Sequence, residues 1–155
     1  MKLVEVFGVR IEMPGNQPIV LLRELEGTRY LPIWVGSAEA SAISFAHQGI
    51  ESSRPLTHDL MVNLLEQLKH PVEQILISDL RDGVFYAELV LVGGARVSSR
   101  PSDAIALALK TKAPIFCAEG VLNEAGIEIE DDQSPEDQVK EFREFLDNIS
   151  PEDFS

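Results

Sequence analysis

The chain has 155 residues, 45% hydrophobic and 25% charged, the make-up of one soluble globular domain with a sizeable core. The formal net charge is −13, yet twelve acids and two bases fall in residues 124–155, against fourteen and eleven in residues 1–123. No basic patch is visible in the body, so charge gives no support to nucleic-acid binding, and no apolar run approaches the ~20 residues of a membrane helix.

Residues 2–12 alternate as a strand, with Val4, Val6 and Val9 interleaved by Phe7 and Ile11, until Pro14-Gly15-Asn16 breaks the run. Residues 18–24 and 29–35 are two β-rich runs around Glu26-Gly27, a hairpin signal. Gly36-Ser37 then opens a helix that ends at Gly49, with Ser37 expected as N-cap and Glu39 in the first turn. Its alanine-rich, mostly apolar sequence predicts burial. Thr57 is expected to cap the next helix, where Leu60, Met61, Leu64, Leu65 and Leu68 form an apolar stripe. Pro71 starts a second half with strands expected over 72–78, 84–92 and 95–98, turning at Asp82-Gly83 and Gly93-Gly94.

The stretch from Val97 to Glu119 organises this half. Arg100-Pro101-Ser102-Asp103 is a helix start: proline suits a first turn, and Ser102 and Asp103 can accept free backbone N–H groups there. Ala104 to Leu109 contains no polar side chain, and a helix apolar on every side is buried on every side. Pro114 ends it before the short strand Ile115-Phe116-Cys117, and a helical turn follows to Gly126. The two halves look alike, each with three strands and then two helical segments. Each also carries an Arg-Pro cluster before an aspartate: Arg54-Pro55-Leu56-Thr57-His58-Asp59 and Arg100-Pro101-Ser102-Asp103. A duplicated β3α2 unit is the reading. Residues 128–132 read as an acidic linker. Ser134-Pro135-Glu136-Asp137 starts a last helix, whose stripe of Val139, Phe142, Phe145, Leu146 and Ile149 calls for a docking surface.

The single cysteine, Cys117, sits in an apolar run and reads as a reduced core thiol. The N-terminus MKLVEVFGVRIEM has charges throughout and no small-residue cleavage site, so it is not read as a signal peptide, and a cytoplasmic location is expected. His47 and His70 lie near helix C-termini, where a cation suits the dipole, and read as structural or exposed. Trp34 reads as a core or interface aromatic. No phosphate-binding glycine loop, nucleophile elbow or paired-cysteine metal site is present.

Glu39, Arg54, His58, Asp59, Arg100, Asp103 and Glu119 carry the chemistry at helix starts, and two readings of them stand. In one they are caps, dipole partners and ion pairs, each worth ~1 kcal/mol. In the other, Arg54 and Arg100 bind phosphate at helix N-termini, and His58, Asp59, Asp103 and Glu39 are the catalytic groups. Asp59, Asp103 and Glu119 would then offer oxygen ligands to Mg²⁺ or Mn²⁺. This is the inventory of metal-assisted phosphodiester hydrolysis, although the spacing matches no strong metal motif.

Three segments together carry a family resemblance: Tyr30-Leu31-Pro32-Ile33-Trp34-Val35-Gly36 with Glu39-Ala40, residues 54–60 (RPLTHDL), and residues 99–108 (SRPSDAIALA). Pro114-Ile115, Glu119 and Val121-Leu122 extend it. Over residues 1–127 the chain resembles the bifunctional nuclease (BFN) domain family. The resemblance implies a nuclease acting on DNA and RNA. It also implies an α+β fold of duplicated β3α2 units in one mixed, strongly curved sheet packed with helices, and a homodimer or higher homo-oligomer. Some members append a UvrB-type module; residues 128–155 instead read as an acidic linker and amphipathic helix, so a partner inferred from that module is not carried over. The expected partner is nucleic acid as substrate, with no membrane. The alternative is a non-enzymatic regulatory module that binds a nucleotide or another phosphate ligand at the arginine-bearing helix starts.

Overall fold

A computed structural model of the chain describes residues 1–12 and 15–128. The linker from residue 129 onward and the C-terminal helix expected after Ser134 lie outside the described residues. The element order is β1 (Lys2–Glu12), β2 (Gln17–Glu24), β3 (Arg29–Trp34), α1 (Ser37–Gln48) and α2 (Thr57–Gln67), then β4 (Val72–Arg81), β5 (Val84–Leu91), β6 (Arg96–Ser99), α3 (Pro101–Thr111), β7 (Ile115–Cys117), α4 (Glu119–Ala125) and β8 (Ile127–Glu128). The fold is α+β, as expected, with one open mixed sheet of eight strands in the order β6-β5-β4-β7-β1-β2-β3-β8.

Each run of three sequential strands pairs as an antiparallel meander. The short strand β7 joins the two meanders, parallel to β4 and antiparallel to β1. Its residues Ile115 and Cys117 are buried. In β2 and β3, Ile19 to Leu22 and Tyr30 to Trp34 are buried without alternation. Continuous burial means that both faces of the sheet are covered there. The edges are β6 and the two-residue β8, and short edge strands offer little template for further pairing.

α3 is the buried centre that its sequence predicts. Ala104 to Ala108 are at most 1% exposed, and the helix packs on α1, α2, β4 and β5. Burying Ile105 and Leu107 there stabilises the fold by ~1.5–3 kcal/mol each. Its alanines let the neighbouring elements approach closely.

The other two long helices differ from expectation. In α1 only Ala40 and Ile43 are buried, and Phe45 is half exposed. In α2 no residue is buried, and the leucine stripe faces mostly outward. α3 already fills the space above the sheet, so α1 and α2 lie on its flanks; α1 buries one narrow side, and α2 covers only Val62 and Leu65, in part. The helix starts also differ by a residue. Gly36, Leu56 and Arg100 are the N-caps, none with a side-chain cap bond, and Ser37, Thr57 and Pro101 are the first helical residues. Proline at the first helical position fixes that frame for α3. Asp103 therefore stands third in the helix, and its carboxylate turns to side-chain partners instead of capping.

Candidate functional site

The site lies where the starts of α1, α2 and α3 meet. Arg100, the residue before α3, is the hub. Its Nε donates to Asp103 Oδ2 at 2.9 Å and its Nη2 to Asp103 Oδ1 at 3.2 Å, a fork that only a planar guanidinium can make. Its Nη1 donates to Glu39 Oε1 at 3.0 Å, which ties α3 to the first turn of α1. His58, in the first turn of α2, places Nε2 2.9 Å from Asp103 Oδ1. Four residues from three helices thus form one network. His58, Asp103 and Glu39 are largely covered, whereas Arg100 remains 63% exposed and faces solvent at the rim.

The electrostatics follow from these contacts. Burial pushes the Asp103 carboxyl up, but the hydrogen bonds from Arg100 and His58 outweigh it and hold the group below the usual carboxylate range. Glu39 is also lowered, first by its own backbone N–H and then by Arg100. Both carboxylates stand at helix N-termini, where the dipole favours negative charge. With His58 neutral, two carboxylates face one guanidinium. When Nε2–H of His58 donates to Asp103, Nδ1 keeps its lone pair, and it has no partner among the described residues. A largely covered carboxylate that fixes the tautomer of an imidazole is the arrangement that prepares a general base.

Beside this network a cavity of about 290 Å³ opens. Trp34, Gly36 and Glu39 line it from the first half of the chain, and Val84, Phe85 and Arg100 from the second. β3 and β5 belong to opposite flanks of the sheet order, so this is where the two halves of the chain meet over the site. Gly36 has a specific role there. A Cβ at this position would overlap Glu39 Oε2, so the glycine lets the carboxylate approach the backbone.

The remaining expected site residues stand apart from the network. Asp59 faces the other way along α2. It takes Lys110 Nζ at 2.7 Å and the Leu56 N–H at 2.9 Å, and Lys110 first and that N–H second hold its carboxyl low. Arg54 is exposed and has no side-chain partner among the described residues. Glu119 begins α4, is exposed, and acts electrostatically on Arg29. Asp59, Asp103 and Glu119 thus answer to three different cations. Among the described residues no three His, Cys, Asp or Glu side chains converge to hold a metal ion. The described residues thus offer no ready three-ligand set for the expected Mg²⁺ or Mn²⁺.

His47 is exposed, and His70 bonds the Val92 carbonyl at 2.8 Å, as their positions near helix ends implied. Sequence reasoning missed Lys110, which the last turn of α3 brings to Asp59. It also missed a second polar cluster. Glu24, 6% exposed, takes two hydrogen bonds from Arg29, which also reaches Asn123. The only signal was their placement on either side of the β2–β3 hairpin turn.

Comparison with known proteins gives these residues a context. The model of the bifunctional nuclease domain matches residues 20–130, a span that includes every member of the network. Two relatives, the "uncharacterized protein Rv1829" and the "uncharacterized protein MT1877", come from two strains of Mycobacterium tuberculosis. Each is 48% identical to this chain over 158 aligned residues, covering 97% of this chain and 96% of the relative. A domain match over most of the chain, together with relatives alike over nearly their whole length, places this protein in the bifunctional nuclease domain family.

Proposed function

We propose that this chain hydrolyses phosphodiester bonds of DNA, RNA or both, with His58 as the general base. The observation that carries the reading is the hydrogen bond from His58 to a largely covered Asp103 beneath an exposed Arg100. In this reading His58 Nδ1 takes a proton from the attacking water as its oxygen bonds to phosphorus; the bond from phosphorus to the leaving sugar oxygen breaks, and that oxygen takes a proton from solvent. Asp103 holds the ring and stabilises the imidazolium that forms. Arg100 contacts the phosphate at the start of α3, with Arg54 as a second, unengaged cation on the approach to α2. Glu39 orients Arg100. Asp59 is a structural partner of Lys110. No step is routed through a metal. A homo-oligomer working in the cytoplasm belongs to the same proposal; a single buried cysteine asks for no oxidising compartment.

The lack of a three-ligand cluster among the described residues favours a second reading, in which the arginine-bearing helix starts bind a nucleotide or another phosphate ligand without cleaving it. One assay separates the two. Highly purified protein is incubated with single- and double-stranded DNA and RNA, with Mg²⁺, Mn²⁺ or EDTA, beside His58→Ala. Cleavage that survives EDTA and is lost in His58→Ala is the expected result. Cleavage abolished by EDTA returns the metal to the mechanism. No cleavage in any condition, with heat stabilisation by a nucleotide, moves the function to the binding module.

A further inference from the structure

α2 carries His58, yet it is the least anchored helix among the described residues. α1 buries two residues, α3 six and α4 three, but α2 buries none. Val62 and Leu65 pack partly on the core, on the side that also presents His58. The outward side carries Leu60, Met61 and Leu64 and continues into Leu56 before the helix and Leu68 after it. These five side chains are 52, 39, 53, 54 and 67% exposed. Together they expose on the order of 500 Å² of apolar surface, the upper range for one patch on a monomeric protein.

Two features point to a second copy of this chain as the cover. Leu56, Leu60, Leu64 and Leu68 recur every four residues, and a ridge with that spacing fits the groove of an identical helix laid across it. A chain of charge −13 repels its own copies, but this face bears no charge; its other exposed side chains, Thr57, Asn63 and Gln67, are neutral. Pairing two such faces removes roughly 1,000 Å² from water before any rim is counted, which reaches the lower bound of specific interfaces.

We infer that two copies pair through the Leu56–Leu68 face of α2 about a two-fold axis, and that this pairing fixes the helix that holds His58 against Asp103. The second half rests on His58 acting as proposed above; the first half does not. Pairing adds the anchoring that α2 lacks within its own chain. The competing occupant is residues 129–155 of the same chain, whose own apolar stripe could cover α2.

The test uses the full chain. Molar mass by light scattering is expected to be twice the 17.1 kDa of one chain. Leu60→Glu/Leu64→Glu is expected to give the single-chain mass with an unchanged far-ultraviolet spectrum and more than tenfold slower cleavage. Glu66→Arg, on the far side of α2, is expected to keep the parent mass. Should the double variant fail to fold, Leu64→Cys with a short bismaleimide replaces it. Covalent dimers joined through α2 are expected, because burial pushes the Cys117 thiol up to about 12 and keeps it silent. A single-chain mass for the parent, or a dimer that survives Leu60→Glu/Leu64→Glu, overturns the interface. So does lower mobility of residues 129–155 that depends on Leu60 and Leu64 within one chain. A single-chain variant that cleaves like the parent overturns the coupling. A parent that never cleaves, yet dissociates on Leu60→Glu/Leu64→Glu, supports the interface and counts against the nuclease reading instead.

Discussion

His58 Nε2 lies 2.9 Å from Asp103 Oδ1, although forty-five residues separate them in the chain. Neither side chain serves its own helix end. Asp103 spends both oxygens on His58 and Arg100, and His58 turns inward from a helix that buries no residue fully. If this contact prepares a base, Asp103→Asn is expected to slow cleavage at least tenfold. The amide does not offer the charge that stabilises an imidazolium. The variant also loses the forked bond from Arg100, so a destabilisation of about 1–2 kcal/mol is expected. Steady-state cleavage and urea unfolding of the same preparation check both. Cleavage at the parent rate would remove Asp103 from the chemistry.

Asp59 should behave in the opposite way. Its partners are Lys110 and the Leu56 N–H, away from Arg100. Asp59→Asn is expected to cost about 1 kcal/mol, for a half-covered ion pair and a helix-start bond, and to leave cleavage within about threefold. A loss comparable to that of Asp103→Asn would restore it to the catalytic set.

These two neighbours show what the sequence made legible. Element type followed from local pattern: the alternation of residues 2–12, the Pro101 start and the all-apolar Ala104 to Leu109 each dictate their own structure. Glu39, His58, Arg100 and Asp103 were legible only as residue types at helix starts, alongside Arg54 and Asp59, which stand apart from the network. Their pairing was not, because Arg100 reaches Glu39 across 61 positions and a linear sequence does not encode which helix ends meet. Asp59 was grouped with His58 by adjacency, yet consecutive residues on a helix point about 100° apart, and that rotation sends one to Asp103 and the other to Lys110. Burial of α1 was overestimated, and the stripe of α2 lies mostly exposed, for a related reason. An apolar stripe states that a face seeks cover, not that its own chain supplies it.

Acid should expose the network. Glu39, Asp59 and Asp103 are all held below their ordinary values in the folded chain, so the unfolded chain takes up their protons first as pH falls. Their contribution is complete above the ordinary carboxylate values near ~4 and is lost as pH drops through the lowered ones. Urea midpoints are expected to change little between about pH 7 and pH 5.5 and to fall steeply below about pH 4. The fall should be shallower in Asp59→Asn/Asp103→Asn. An equal slope in that variant would place the acid sensitivity elsewhere.

Gly36 offers a test of the α1 end of the network that leaves every charge in place. Its backbone, at φ −75° and ψ 166°, is open to any residue, so alanine brings no conformational strain. Its Cβ, however, would overlap Glu39 Oε2. Glu39 must then swing away, and it gives up both its own backbone N–H and Arg100 Nη1. The expected cost of Gly36→Ala is about 1 kcal/mol, the scale of a lost helix-start bond. Glu39→Ala should cost a similar amount. Because both changes break the same contacts, the double variant should be scarcely less stable than either single one. Urea unfolding of the four proteins closes the cycle. Full additivity would mean that Gly36 acts without Glu39, and the glycine would lose its link to the site. Arg100 keeps its fork to Asp103 in all four, so cleavage should fall far less than in His58→Ala.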